Sequence, residues 1–112
     1  MAKDLEISVL LGFYGDLLSE KQRAVSESYY YDDLSLAEIA ENCGITRQGV
    51  LDNIRHAERK LKKFEETLGF ASKFSEFSQL ADELEQSSKE ISDKELSVKI
   101  GSIAKKINEI IS

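Results

Sequence analysis

The stretch LAEIAENCGITRQGVLDNIRHAERKLKK, Leu36 to Lys63, decides the fold. Ser35 stands just before it with Glu38 three residues on. In that spacing the serine hydroxyl takes an amide of the first turn and the glutamate reaches back to the serine amide. A short helix is predicted through Ile39 and Ala40, the alanine being small enough to let another helix approach. Gly44 supplies the left-handed conformation that ends a helix without Cβ strain. Thr46 then caps a second helix, whose apolar positions Val50, Ile54, Ala57, Leu61, Phe64 and Leu68 recur at intervals of 4, 3, 4, 3 and 4 residues, a sustained helical face. Short helix, tight turn and longer helix make a helix-turn-helix, the layout that carries one helix into a groove.

Charge is distributed unevenly around this motif. From Thr46 to Lys63 six basic residues (Arg47, Arg55, Arg59, Lys60, Lys62, Lys63) stand against two acids (Asp52, Glu58), giving +4, so the rest of the chain carries −10 of the total −6. The overall sign argues against indiscriminate binding of phosphate polymers. The positive charge nevertheless collects on the helix that would need it. Basic residues toward a helix C-terminus also complement the macrodipole without any ligand.

The flanks read as helices too. Asp4 caps a helix from about Leu5 to Tyr14 with Ile7, Leu10, Leu11 and Tyr14 inward, ending near Gly15 and Asp16. Ser19 and Gln22 form a second capping box before a helix from Glu20 to about Tyr30, with Val25, Tyr29 and Ala24 as its inward positions. Tyr29 and Tyr30 are expected to pack at the helix end with wet hydroxyls; as an alternative they offer a stacking platform for an unpaired base. Asp32 and Asp33 make a turn and lack the further oxygen ligands a metal needs.

Beyond Gly69, Ser72 is expected to cap a helix from Lys73 to about Gln86. Phe70, Phe74, Phe77, Leu80, Ala81 and Leu84 form its stripe, read as core covering Leu61, Phe64 and Leu68. Ser92 or Asp93 caps a last helix, in which Leu96, Ile100, Ile103, Ile107 and Ile110 are spaced 4, 3, 4 and 3. That seam is too short for a free coiled coil and must pack on its own domain or on another subunit. The predicted architecture is therefore all-α: residues 1–68 as a helix-turn-helix region, and residues 69–112 as a C-terminal helical hairpin packed on the first region or on a second copy. A homodimer is expected, because two-fold symmetry doubles the contact made by a single reading helix.

The chain is long enough for a modest core, has no proline to interrupt its helices, and no apolar run long enough to span a bilayer. With no signal peptide expected and a single cysteine, a cytoplasmic protein without membrane insertion is predicted. No catalytic residue, metal ligand set or cofactor is assigned. One His and one Cys do not complete a zinc site, and Gly12 and Gly15 lack the strand and basic residue of a phosphate loop. Cys43 is read as a small buried side chain and His56 as a partly exposed neighbour of Asp52 or Lys60. No enzyme is expected.

Ile39-Ala40, Cys43-Gly44-Ile45, Thr46-Arg47, Val50 and Ile54-Arg55-His56-Ala57 together resemble the helix-turn-helix of sigma-factor region four. With the flanks GFYGDLLSEKQ and YYYDDLSLAEIAE, the whole chain is similar to the YlxM family of small bacterial proteins. Its members are linked to the signal recognition particle pathway mainly through gene neighbourhood. The resemblance implies a nucleic-acid-binding regulatory protein, with duplex DNA or signal recognition particle RNA as ligand and proteins of that particle as further partners. Within the motif, Thr46, Arg47 and Gln48 fall where a recognition helix meets base edges, Arg47 suiting guanine and Gln48 adenine. Arg55, Arg59, Lys62 and Lys63 lie further along and suit phosphates. Asp52 opposes that use unless it pairs with Arg55 or His56, and Gly49 weakens the helix by about 1 kcal/mol relative to alanine unless a close backbone approach needs it. The competing expectation is a protein-interaction module that keeps the scaffold without reading DNA.

Overall fold

Local capping signals set the helix boundaries. The computed structural model describes residues 3–111, in which six α-helices occur and no strand: α1 Leu5–Tyr14, α2 Glu20–Tyr30, α3 Leu36–Cys43, α4 Arg47–Leu68, α5 Phe70–Ser88 and α6 Lys94–Ile111, with a 3-10 turn Gly15–Leu17 following α1. Asp4 accepts from the Glu6 amide at 2.9 Å. Complete capping boxes join Ser19 to Gln22 and Ser35 to Glu38. Gly44 and Gly69 close α3 and α4 at φ of 66° and 65°, values that carry a Cβ penalty for any other residue. Asp93 caps α6 by accepting from the Leu96 amide at 3.1 Å.

The chain divides into two compact units, Met1–Ala71 and Ser72–Ser112. In the first, α4 is the central element. Its Val50 and Ile54 join Val25, Tyr29, Ile39 and Ala40 in one cluster, while its Ala57 and Leu61 join Ile7, Leu10, Leu11, Tyr14 and Leu18 in another. Tyr30 packs against both clusters. Leu61 and Phe64 pack with α1 in the second of these clusters. Phe77, Leu80 and Leu84 of the stripe read from sequence as core are exposed. Phe70 stacks on the Tyr14 ring at 6.4 Å while staying half-exposed.

Carboxylates of α4 hook α1 and α2 to it. The Tyr14 hydroxyl donates to Glu65 Oε1 at 2.6 Å and accepts from the Phe70 amide at 3.0 Å, and the same Glu65 oxygen accepts from the Ala71 amide at 3.0 Å. Two amides at the start of α5 are therefore capped by side chains, that of Phe70 by a tyrosine 56 residues away. This is why α5 begins at Phe70 and Ser72, expected to cap it, lies inside the helix. Tyr30 donates to Glu58 Oε1 at 2.5 Å, so its hydroxyl is not wet as expected. Burial, reinforced by the adjacent carboxylate, pushes both phenols up from their ordinary range, keeping them as donors.

Other expectations shift by one helical step. α2 buries Val25, Ser26 and Tyr29 and leaves Ala24 exposed. Cys43 is exposed rather than buried. It is the last residue of α3, and Ile45, turned back by Gly44, packs against the cluster instead. The second unit has a sparse interior in which Ala81, Ser88 and Ala104 are the buried residues. Ser97 donates to the Ser88 carbonyl at 2.6 Å, Asn108 donates to Asp82 at 3.2 Å, and a Cβ on Gly101 would lie 3.1 Å from Ser88 Oγ.

Ile54→Ala, at a fully buried position, is expected to cost about 2–5 kcal/mol in urea unfolding followed by circular dichroism. Tyr14→Phe should cost about 1–3 kcal/mol and shorten the start of α5, measurable as faster amide exchange at Phe70 and Ala71. Because the Tyr14 and Tyr30 phenols are raised in the folded state from 10.0, their contribution is complete below pH 10.0 and is lost as pH rises further. Tyr14→Phe should therefore flatten the alkaline decline in stability, read by comparing urea midpoints at neutral pH and above pH 10.

Candidate nucleic-acid interface

α4 is amphipathic through most of its 22 residues. Val50, Ile54, Ala57 and Leu61 are each 0–1% exposed. With successive residues about 100° apart, the opposite side carries Gln48, Asp52, Arg55, Arg59, Lys62 and Lys63, all exposed. At about 1.5 Å rise per residue this line extends for about 22 Å, enough to follow a groove. Of the basic residues on α4, Lys60 is drawn aside, donating to Gln22 Oε1 at 3.0 Å. The outward line thus keeps Arg55, Arg59, Lys62 and Lys63, the residues assigned to phosphate from sequence.

The N-terminal end is built by the turn. Thr46 Oγ1 accepts from the Gly49 amide at 3.0 Å, which leaves its own hydrogen able to donate outward. A Cβ on Gly49 would lie 3.2 Å from Thr46 Oγ1 and within 4 Å of two Ile45 carbons. The glycine therefore makes room for the cap, without any need for a ligand to explain it. α1, α2, α3 and α6 each have a glutamate in the first turn, whereas α4 has no acid there. The positive end of its dipole therefore meets no carboxylate from its own first turn. Arg47 and Gln48 are exposed on this turn.

Asp52 behaves differently from either pairing considered for it. It accepts from Gln48 Nε2 at 3.0 Å, placing one carboxylate inside the basic line and occupying the amide group otherwise suited to adenine. His56 is exposed and receives a hydrogen bond at Nδ1 from Arg59 Nη2 at 2.7 Å; its hydrogen-bond partner is Arg59, not Asp52 or Lys60. This contact orients Arg59, as residues three apart on a helix are surface neighbours. Asn53 is spent within the helix, donating to the Gly49 carbonyl at 2.9 Å. The tyrosines offer no open platform: Tyr29 is buried edge-on to Tyr30 at 5.0 Å, and Tyr31 donates to the Ser8 carbonyl.

Among the described residues no helix is long and apolar enough to cross a membrane. Residues 1–101 match the family described as "Putative helix-turn-helix protein, YlxM / p13 like". A UPF0122 protein of Acetivibrio thermocellus is 40% identical over 111 residues, covering 99% of this chain and 95% of that one. A UPF0122 protein of Halalkalibacterium halodurans is 43% identical over 84 residues, 75% of this chain and 77% of the other. One from Desulforamulus reducens is 49% identical over 71 residues, 63% and 61% of the two chains. The chain belongs to the YlxM / p13-like family of helix-turn-helix proteins.

Proposed function

We propose that this protein is a nucleic-acid-binding regulator that lays α4 into the major groove of duplex DNA. The observation that carries the reading is the exposed line of Arg55, Arg59, Lys62 and Lys63 on the side of α4 opposite its buried stripe. Thr46, Arg47 and Gln48 lead into the groove from the acid-free first turn, and the four cations behind them neutralise phosphates. The reading takes two copies per duplex, since one α4 offers a single short reading end. The family resemblance adds action in the signal recognition particle pathway, with that particle's RNA as the ligand to compare against DNA.

Asp52 favours a second reading. A carboxylate hydrogen-bonded to Gln48 in the middle of the basic line repels phosphate and withholds a base-reading amide. A protein-interaction module that keeps the scaffold, docking its acidic surface on a basic protein of the particle, would carry that residue without penalty.

Fluorescence anisotropy with a random duplex and with signal recognition particle RNA, each at two salt concentrations, separates the readings. Four phosphate contacts predict a slope of log affinity against log salt of about −3.6 for duplex DNA. Arg55→Ala and Arg59→Ala should each lower that slope by about one and weaken binding to all sequences alike. Asp52→Ala should tighten binding by removing the repulsion. Absence of binding to either polymer at low salt sinks the nucleic-acid reading; binding that survives loss of both arginines puts the surface elsewhere.

A further inference from the structure

The second unit leaves one broad side of its helices uncovered. On α5, Ala81 and Ser88 are buried while Phe77, Leu80 and Leu84 are 54%, 60% and 37% exposed. On α6, Ala104 is buried while Leu96, Ile103 and Ile110 are 46%, 46% and 83% exposed. At about 100° per residue, each exposed set lies on the N-terminal-going rotational side of the buried line of its own helix. The Asp82–Asn108 and Ser88–Ser97 hydrogen bonds fix the two helices as antiparallel. Rotation senses reverse between antiparallel helices, so the two sets come to the same side of the hairpin. The opposite side carries a shallow groove lined by Glu85, Val98, Ser102 and Lys105.

The six exposed side chains present on the order of 600 Å² of apolar surface, at the upper limit of what a soluble monomer leaves open. With a polar rim, this approaches the ~800 Å² per partner of a standard-sized interface. Two helices burying little more than small residues do not make a self-sufficient core, and the seam on α6 has the heptad spacing that suits helical partners. Charge selects the partner. The outer edge of α5 carries Glu76 and Glu83, and the outer edge of α6 carries Lys99 and Lys106 beyond Glu95 of its first turn, all exposed.

We infer that this face docks on the same face of a second copy, forming a four-helix bundle with a two-fold axis parallel to the helices. That axis lays α5 of each copy over α6 of the other, antiparallel, so the acidic edge meets the basic edge; the alternative two-fold, perpendicular to the helices, sets acid against acid. The Asp82–Asn108 bond fixes the height along the helices, and it places Glu83 of one copy level with Lys106 of the other, twice per dimer. This inference deepens the two-copy part of the proposed function and is tested without nucleic acid, so it stands or falls separately from DNA reading.

Sedimentation equilibrium of the full chain is expected to show a dimer. Leu80→Glu and Ile103→Glu should each raise the dimer dissociation constant at least ~10-fold, and Ile110→Glu, at a position 83% exposed, should do the same with helicity unchanged. Val98→Glu on the opposite side should leave association unchanged. Glu83→Lys and Lys106→Glu should each weaken association several-fold, and the two together should restore it. A wild-type monomer at every concentration overturns the inference. So does a dimer unaffected by the hairpin substitutions but weakened by Leu5→Glu or Val9→Glu on α1. Failure of the double charge reversal to rescue overturns the pairing of α5 with α6.

Discussion

Burial of one stripe on α4 is the constraint on which the Met1–Ala71 unit depends. Val50 and Ile54 complete the cluster with α2 and α3, and Ala57 and Leu61 complete the cluster with α1. Each large aliphatic side chain so buried contributes about 1.5–3 kcal/mol of transfer free energy. Since α4 serves both clusters, its rotation about its own axis has no freedom. The side presented to solvent is then fixed as well, and the basic line faces outward because the apolar line cannot.

Polar contacts refine this arrangement. Glu58 and Glu65, both on α4, accept from tyrosines of α2 and α1. These hydrogen bonds to charged acceptors are worth more than neutral ones and are costly to break when half-buried. Glu65 also takes the first amides of α5 through itself and Tyr14, so one carboxylate couples the end of α4, the end of α1 and the start of α5. The same pairs spend two of α4's acids inside the fold, which leaves the outward line more positive than the count of charges along the helix suggests.

The acidic remainder of the chain gives that line its context. A protein of net charge −6 is repelled by nucleic acid at long range, so any binding must come from local placement of arginine and lysine rather than from the average field. Asp52 works against that placement and Lys60 is diverted to Gln22. The hairpin presents a different chemistry, apolar side chains bordered by opposite charges on its two edges, suited to a protein surface rather than to phosphate.

The helices themselves were determined locally. Capping boxes at Ser19 and Ser35, the Thr46 cap, left-handed Gly44 and Gly69, and the 4-3 spacing of α4 act within a few residues of each other, so a reader of the sequence meets cause and effect together. The line of Arg55, Arg59, Lys62 and Lys63 was legible for the same reason, since helical periodicity fixes faces. What only the tertiary structure decided involves groups far apart in the chain: the start of α5 at Phe70, whose amide is taken by Tyr14, and the bonded hydroxyl of Tyr30, held by Glu58. Periodicity marks a side as apolar without saying what covers it: Phe77, Leu80 and Leu84 read as core from sequence and are exposed in the structure. Local chemistry fixed the elements, and long-range packing decided which of their faces were buried.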